Sequence, residues 1–142
     1  MKNTRRVFLA LCIVAVAGCA SGPKFSEMQS KMPTMKAGEG RIYVYRDSVF
    51  GAAVVPAVYV NGVESGRSLA NSFFYVDRAP GEYKISATTE VEKSVSFALA
   101  AGESKYVKVS IGMGLFAGRP NFELVNEAGA RTALQSLSYS GK

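Results

Sequence analysis

From Gly40 onward apolar and polar residues alternate with a period of two, the signature of strands that bury one face. Residues 41–46 set Ile42 and Val44 against Tyr43 and Tyr45, and residues 53–60 form a second β-rich run whose Pro56 marks an edge or a bulge. Asn61-Gly62 predicts a two-residue hairpin turn, because both central positions need positive φ, with a short return strand over 63–68. The next strand, over 72–77, centres on Phe73-Phe74-Tyr75 and is closed by Ala79-Pro80-Gly81-Glu82. Tyr83, Ile85 and Ala87 then alternate with Lys84, Ser86 and Thr88, and Val95, Phe97 and Leu99 with Ser94, Ser96 and Ala98. Ala101-Gly102-Glu103 reverses the chain, Val107, Val109 and Ile111 carry another strand, and Phe122 and Leu124 a last one over 121–125. Seven or eight short strands separated by turns predict an all-β fold, a single antiparallel β-sandwich filling residues 40–142.

Two stretches follow a different period. Phe25, Met28 and Met32 are spaced i, i+3, i+7, which predicts a short helix ending before Pro33, docked by its methionine face. Such a stripe reads as packing rather than as a metal site, since thioethers select only soft ions such as Cu(I). Otherwise residues 19–39 are polar and read as a tether, with an r.m.s. reach on the order of 25 Å if fully flexible. Near the C-terminus, Ala130, Ala133, Leu134 and Leu137 have the spacing of a second short helix.

The N-terminus carries a third kind of pattern. Lys2, Arg5 and Arg6 precede an apolar run over 7–16, and Ala17-Gly18 place small residues directly before Cys19. The run is half the ~20 residues needed to cross a bilayer, so residues 1–18 read as a cleaved signal peptide rather than a transmembrane helix. The arrangement resembles the signal of bacterial lipoproteins. That resemblance implies a diacylglycerol on the Cys19 thiol and a further acyl chain on its amine, palmitate among the fatty acids carried. Two or more chains hold a protein firmly on a membrane, each buried methylene contributing ~0.8 kcal/mol. Ala20 and Ser21, with no Asp directly after the cysteine, resemble an outer-membrane address more than an inner-membrane one, on the periplasmic side.

Composition narrows the chemistry. The formal charge is +6, but three of the 17 cations lie in the signal, so the mature chain has 14 basic against 11 acidic residues and nucleic acid is not implied. Cys12 lies in the discarded run and Cys19 is committed to lipid, leaving no pair for a disulfide. The absence of histidine removes the commonest general base and the commonest neutral metal ligand, which argues against zinc sites and against Ser-His or Cys-His catalysis. No cofactor is expected apart from the covalent lipid.

The stretches Gly40-Arg-Ile-Tyr-Val-Tyr-Arg46, Val58-Tyr-Val-Asn-Gly62, Ala79-Pro-Gly-Glu-Tyr83 with Ala87-Thr-Thr89, and Gly118-Arg-Pro120 resemble a family of small bacterial lipoproteins catalogued as domain of unknown function 2846. The likeness covers roughly 40–125. Val-Tyr-Val-Asn-Gly followed by Pro-Gly-Glu-Tyr is also similar to PEGA-type and transthyretin-like β-sandwich modules of bacterial surfaces. Neither resemblance brings an activity or catalytic residues with it.

Candidate sites are few. The loop over 112–118 is too remote from a strand-helix-strand unit to cradle a dinucleotide phosphate, because Arg119-Pro120 leads into another strand. Its Met113, Leu115 and Phe116, with Arg119, either present an apolar tip to a partner or lipid, or fold back to plug one end of the sandwich. Aggregation risk favours the plug. Tyr43, Tyr45, Phe73 and Tyr75 form a candidate outer-face platform for stacking sugars, against the alternative of half-buried sheet tyrosines. Arg46, Arg67, Arg78 and Arg119 are candidate anion clamps or local ion-pair partners. Glu90 and Glu92, two apart, lack the facing wall a glycosidase needs. The sequence thus predicts a membrane-anchored, non-enzymatic binding or structural module whose partner, an envelope protein or a glycan, it leaves open. A peptidoglycan- or polysaccharide-binding module is the alternative, and a small envelope hydrolase comes behind both.

Overall fold

The computed structural model describes residues 21–141; the signal segment and Cys19 lie outside the described residues. The elements run α1 (Phe25–Met28), β1 (Gly40–Arg46), β2 (Ala57–Val60), β3 (Val63–Arg67), β4 (Ser72–Arg78), β5 (Gly81–Thr88), β6 (Glu92–Leu99), β7 (Ser104–Gly112), β8 (Arg119–Val125), α2 (Glu127–Leu134) and the two-residue β9 (Ser138–Tyr139). The strands make two sheets, ordered β8-β7-β1-β4-β9 and β3-β2-β5-β6, so the all-β sandwich is as the alternation predicts.

Strand direction is partly different. β1 pairs with β7 in parallel, Tyr43 opposite Tyr106, and β4 pairs with β9 in parallel, so the first sheet is mixed rather than purely antiparallel. The physical reason lies in the connections. After β6 the chain crosses between sheets through 100–103 and enters β7 from the end where β1 begins, with the amide of Gly102 donating to the carbonyl of Glu39. Alternation within one strand records which face is buried but not the direction of its neighbour.

Ile42, Val44, Phe74, Val107 and Val109 of the first sheet meet Val58, Val60, Ile85 and Leu99 of the second in the inter-sheet core. Each such side chain contributes about 1.5–3 kcal/mol by leaving water. Asn61 and Gly62 have φ of 48° and 80°, as the β2–β3 turn requires. The Asn61 side chain also accepts from the amide of Lys84 and donates to the carbonyl of Glu82, tying that hairpin to β5.

The opposite face of the first sheet carries a second core. Tyr43, Tyr45, Phe73 and Tyr106 are buried there with Phe25, Ala130, Leu134 and Leu137, under α1 and α2. Every residue of β1 is therefore buried, which is unusual for a strand reading as strict alternation. The α2 helix starts at Asn126, whose side chain accepts from the amide of Gly129, and lays Ala130 and Leu134 on the sheet at helical spacing.

The predicted α1 is present but only four residues long, and the chain around it is docked. The amide of Phe25 donates to the carbonyl of Leu137 and that of Tyr139 to Pro23, so residues 23–25 run along β9 as one more row of the first sheet. Phe25 meets Phe73 edge-on at 5.3 Å, and the Tyr43 hydroxyl reaches the sulfur of Met32 at 3.3 Å. Arg41 forms a bidentate pair with Asp77, at 2.6 and 2.8 Å, and also donates to the carbonyl of Pro33. Of the tether read over 19–39, the stretch from 23 to 33 is therefore packed on the first sheet.

Candidate functional site

The end of the sandwich where β1 and β7 finish carries two loops, 47–56 and 112–118. β7 continues past the end of β1, since Lys108 already lies opposite Tyr45, and closes onto β8 with Gly112 opposite Arg119. The 112–118 loop thus projects beyond the body. Its side chains do not plug the core: Met113 is 87% exposed, Leu115 81% and Phe116 94%. The plug favoured from sequence is overturned: the three tip side chains stand in solvent, while Val109 and Ile111 of β7 are buried without them. Phe50 at 60% and Val49 at 66% exposure project from the neighbouring loop. Between the loops lies an open groove of about 300 Å³ with Phe50 and Val54 on one side and Met113, Leu115 and Phe116 on the other.

The loop is held although its side chains are free. Glu90, in the turn between β5 and β6, accepts the amides of Leu115 at 2.9 Å and Phe116 at 3.1 Å, and Arg119 Nε at 2.6 Å. A carboxylate of one sheet thereby fixes the projecting hairpin of the other. Arg119, then the Phe116 and Leu115 amides, hold the Glu90 carboxyl below the usual carboxylate range, so it stays charged. Gly114 permits the approach: a Cβ there would collide with the Ala117 carbonyl oxygen and the Glu90 carboxylate.

The second loop is fixed by Arg46. Its guanidinium is 1% exposed and donates to the carbonyls of Phe50, Val54 and Ser68 at 2.8–3.1 Å. Burial pulls its pKa down, the three carbonyls standing in for a carboxylate partner. Arg67 donates to the carbonyl of Val55 and Arg78 to that of Asp77. The four arginines considered as anion clamps are therefore not gathered at one place. Three of them instead shape the two loops of the tip. Glu92 pairs with Lys84 at 2.6 Å, an exposed pair worth little, and is not among the partners of Glu90.

The aromatic platform is corrected in the opposite sense. Tyr43 is 6% exposed, Tyr45 2% and Phe73 0%, and only Tyr75 is half-buried. Tyr43 stacks on Tyr106 at 5.0 Å with rings nearly parallel, and the Arg41 guanidinium sits 4.3 Å over the Tyr75 ring. Tyr45 is pushed up to about 12, burial first and the charges of Asp47 and Glu123 next. Sugars have no open face to stack on here, because α1 and α2 occupy it. Among the described residues no group of three or more Cys, Asp or Glu is placed to hold a metal ion, and no helix is long and apolar enough to cross a membrane.

Glu90 and Arg46 are the residues that sequence reasoning undervalued. Glu90 had a signal, an acidic residue in a turn within chain reach of a glycine-rich loop, but its partner lies 29 positions away. Arg46 continues an alternating strand, and nothing local marks it as buried.

The chain belongs to the family described as "Protein of unknown function (DUF2846)", whose model matches residues 36–120, a span that includes both loops of the tip and Glu90. It is also similar to an uncharacterized protein of Haemophilus influenzae, 28% identical over 145 residues that cover 96% of this chain and 86% of that protein. No solved structure matches it.

Proposed function

We propose that this chain is a lipid-anchored protein of the bacterial cell envelope, outer membrane rather than inner, whose sandwich acts as a non-enzymatic docking module through the tip formed by loops 47–56 and 112–118. One observation carries the docking reading. Met113, Leu115 and Phe116 stand in solvent on a backbone that Glu90 and Arg119 hold in place. A large exposed apolar patch on a fixed support is the character of an interaction surface, since ordering it costs little further entropy on binding. The anchor reading rests on the pattern from Lys2 to Cys19. A glycan-binding reading loses its residues with the covering of Tyr43, Tyr45 and Phe73. The Glu90 and Glu92 pair gives a hydrolase reading no free carboxylates, because Glu90 is engaged with Arg119 and two amides and Glu92 with Lys84.

Two measurements test the parts separately. Cells grown with a clickable palmitate analogue should give a labelled band that Cys19→Ala removes, together with loss of the protein from the membrane fraction; an unlabelled wild-type band rules out the anchor. Met113 should oxidise quickly in the purified protein and slowly in intact envelopes, because docking shields it. Equal oxidation rates in the two settings rule out docking at the tip.

A further inference from the structure

We propose that the occupant of the apolar tip is a second copy of this chain, the two copies docking tip to tip about a two-fold axis. This rests on the docking reading above and not on the acylation of Cys19. A lipid on Cys19 would not bring the tip to its own membrane. Residues 23–25 run antiparallel to β9, which is parallel to β4, so traced back from Pro23 the chain heads away from the end that bears loop 112–118. It also lies four to five strands across the sheet from β7 and β8, roughly 20–25 Å. The three peptide steps from Gly22 to Cys19 span at most about 10 Å.

The tip is complementary to itself. A two-fold contact joins the same patch on both partners, so that patch must hold a projection and a matching recess side by side. Phe116, 94% exposed, is the projection. The recess is the open groove of about 300 Å³ beside it, lined by Phe50, Val54 and Ile111. Turned about an axis next to Phe116, each copy lays its Phe116 ring in the groove of the other, against Phe50 and Val54. The contact is thereby made twice.

Charge and area agree with such a contact. The two loops carry one charged side chain between them, Asp47, and it is paired with Lys108 at 2.8 Å. Behind the loops Glu90 and Arg119 neutralise each other at 2.6 Å. A patch whose charges are balanced meets its own copy without repulsion, and it holds no excess charge with which to select an oppositely charged partner. Val49, Phe50, Met113, Leu115 and Phe116, each 60–94% exposed, together present several hundred Å² of surface. A stable interface takes about 800 Å² from each partner, rather more than half of it apolar, so the patch supplies the apolar share. The Leu115 and Phe116 amides are already held by Glu90, which leaves the backbone little freedom to lose on docking.

Phe116→benzoylphenylalanine puts a photoreactive ring at the tip of the full chain, and Val63→benzoylphenylalanine puts one beside the Asn61-Gly62 turn. Both sites are exposed, and equal melting temperatures check that neither change disturbs the core. Each variant is expressed with its signal as two differently tagged forms in the same cells, and the intact cells are irradiated. Position 116 should give an adduct at twice the mass of one chain that carries both tags, and position 63 none. Equal adducts at the two positions reflect crowding and overturn the proposal. An adduct of position 116 to a different protein also overturns it, while leaving the tip a docking surface, and so does the lack of any protein adduct there. Purified protein in excess detergent gives a second reading. Hydrogen peroxide should oxidise Met113 quickly when the protein is dilute and several-fold more slowly as its concentration rises from micromolar to millimolar. A rate independent of concentration overturns the second copy, and if the rate is also unchanged in intact envelopes the docking reading falls with it.

Discussion

Two regions of this protein exchange the roles that their sequences suggest. The aromatic face of β1 and β4, rich in tyrosine and a candidate for an open platform, is closed under α1 and α2. The glycine-rich loop over 112–118, expected to fold inward, stands in solvent. The difference is one of available partners. Phe73, Tyr43 and Tyr45 have Phe25, Leu134 and Leu137 to pack against, supplied from both ends of the chain, whereas Leu115 and Phe116 project past the last layer of either sheet. Apolar character sets how much a side chain stands to gain by burial. Whether burial occurs depends on what the topology brings within reach.

The sharpest way to break this comparison is to attack the covered face. Phe73 is fully buried between Phe25 and Tyr139. Phe73→Ala should cost about 3–5 kcal/mol, lowering Tm by roughly 10–20 °C for a domain of this size. Thermal unfolding followed by circular dichroism measures this, and a shift of only a degree or two would mean that the face is open after all.

An intermediate effect is expected at the clamp. Glu90→Gln removes the charge that gathers Arg119 and the amides of Leu115 and Phe116. Hydrogen exchange at those two amides should accelerate while the strand amides of β5 and β7 keep their protection. The pH dependence has a definite sign. Glu90 is held below its ordinary range in the folded protein, so its hold on the loop is complete above about pH 4.5 and is lost as the pH falls through the lowered value. Faster exchange of the loop amides on raising the pH from 5 to 7, after correction for intrinsic rates, would contradict this.

The smallest effect belongs to the tip itself. Leu115→Ser combined with Phe116→Ser should change stability by no more than about 0.5 kcal/mol, because both side chains are already in water. A loss comparable to that of Phe73→Ala would place the loop in the core and remove the contrast between the two regions.

Much of the sandwich can be read from local pattern. The alternation at Ile42-Tyr43-Val44-Tyr45, the turn at Asn61-Gly62 and the spacing of Ala130, Leu134 and Leu137 each reflect a backbone geometry that a few neighbouring residues impose. Of the candidate site, Met113, Leu115, Phe116 and Arg119 were visible as an apolar, glycine-rich segment beside a cation. Glu90 and Arg46 were not recognisable as its supports, since their roles depend on contacts with residues remote in sequence or on burial that no periodicity records.

What the sequence by itself determined, then, is the period of each segment, the places where the chain turns, and the lack of histidine and of any cysteine after Cys19. These follow from steric preferences and composition, which act over a few residues. Only the tertiary structure decided that β7 lies parallel to β1, that Phe25 and Leu134 cover the tyrosines, and that Glu90 reaches across from one sheet to hold a hairpin of the other. Those outcomes depend on which distant surfaces meet, and that is settled by the joint packing of all the elements rather than by any one of them.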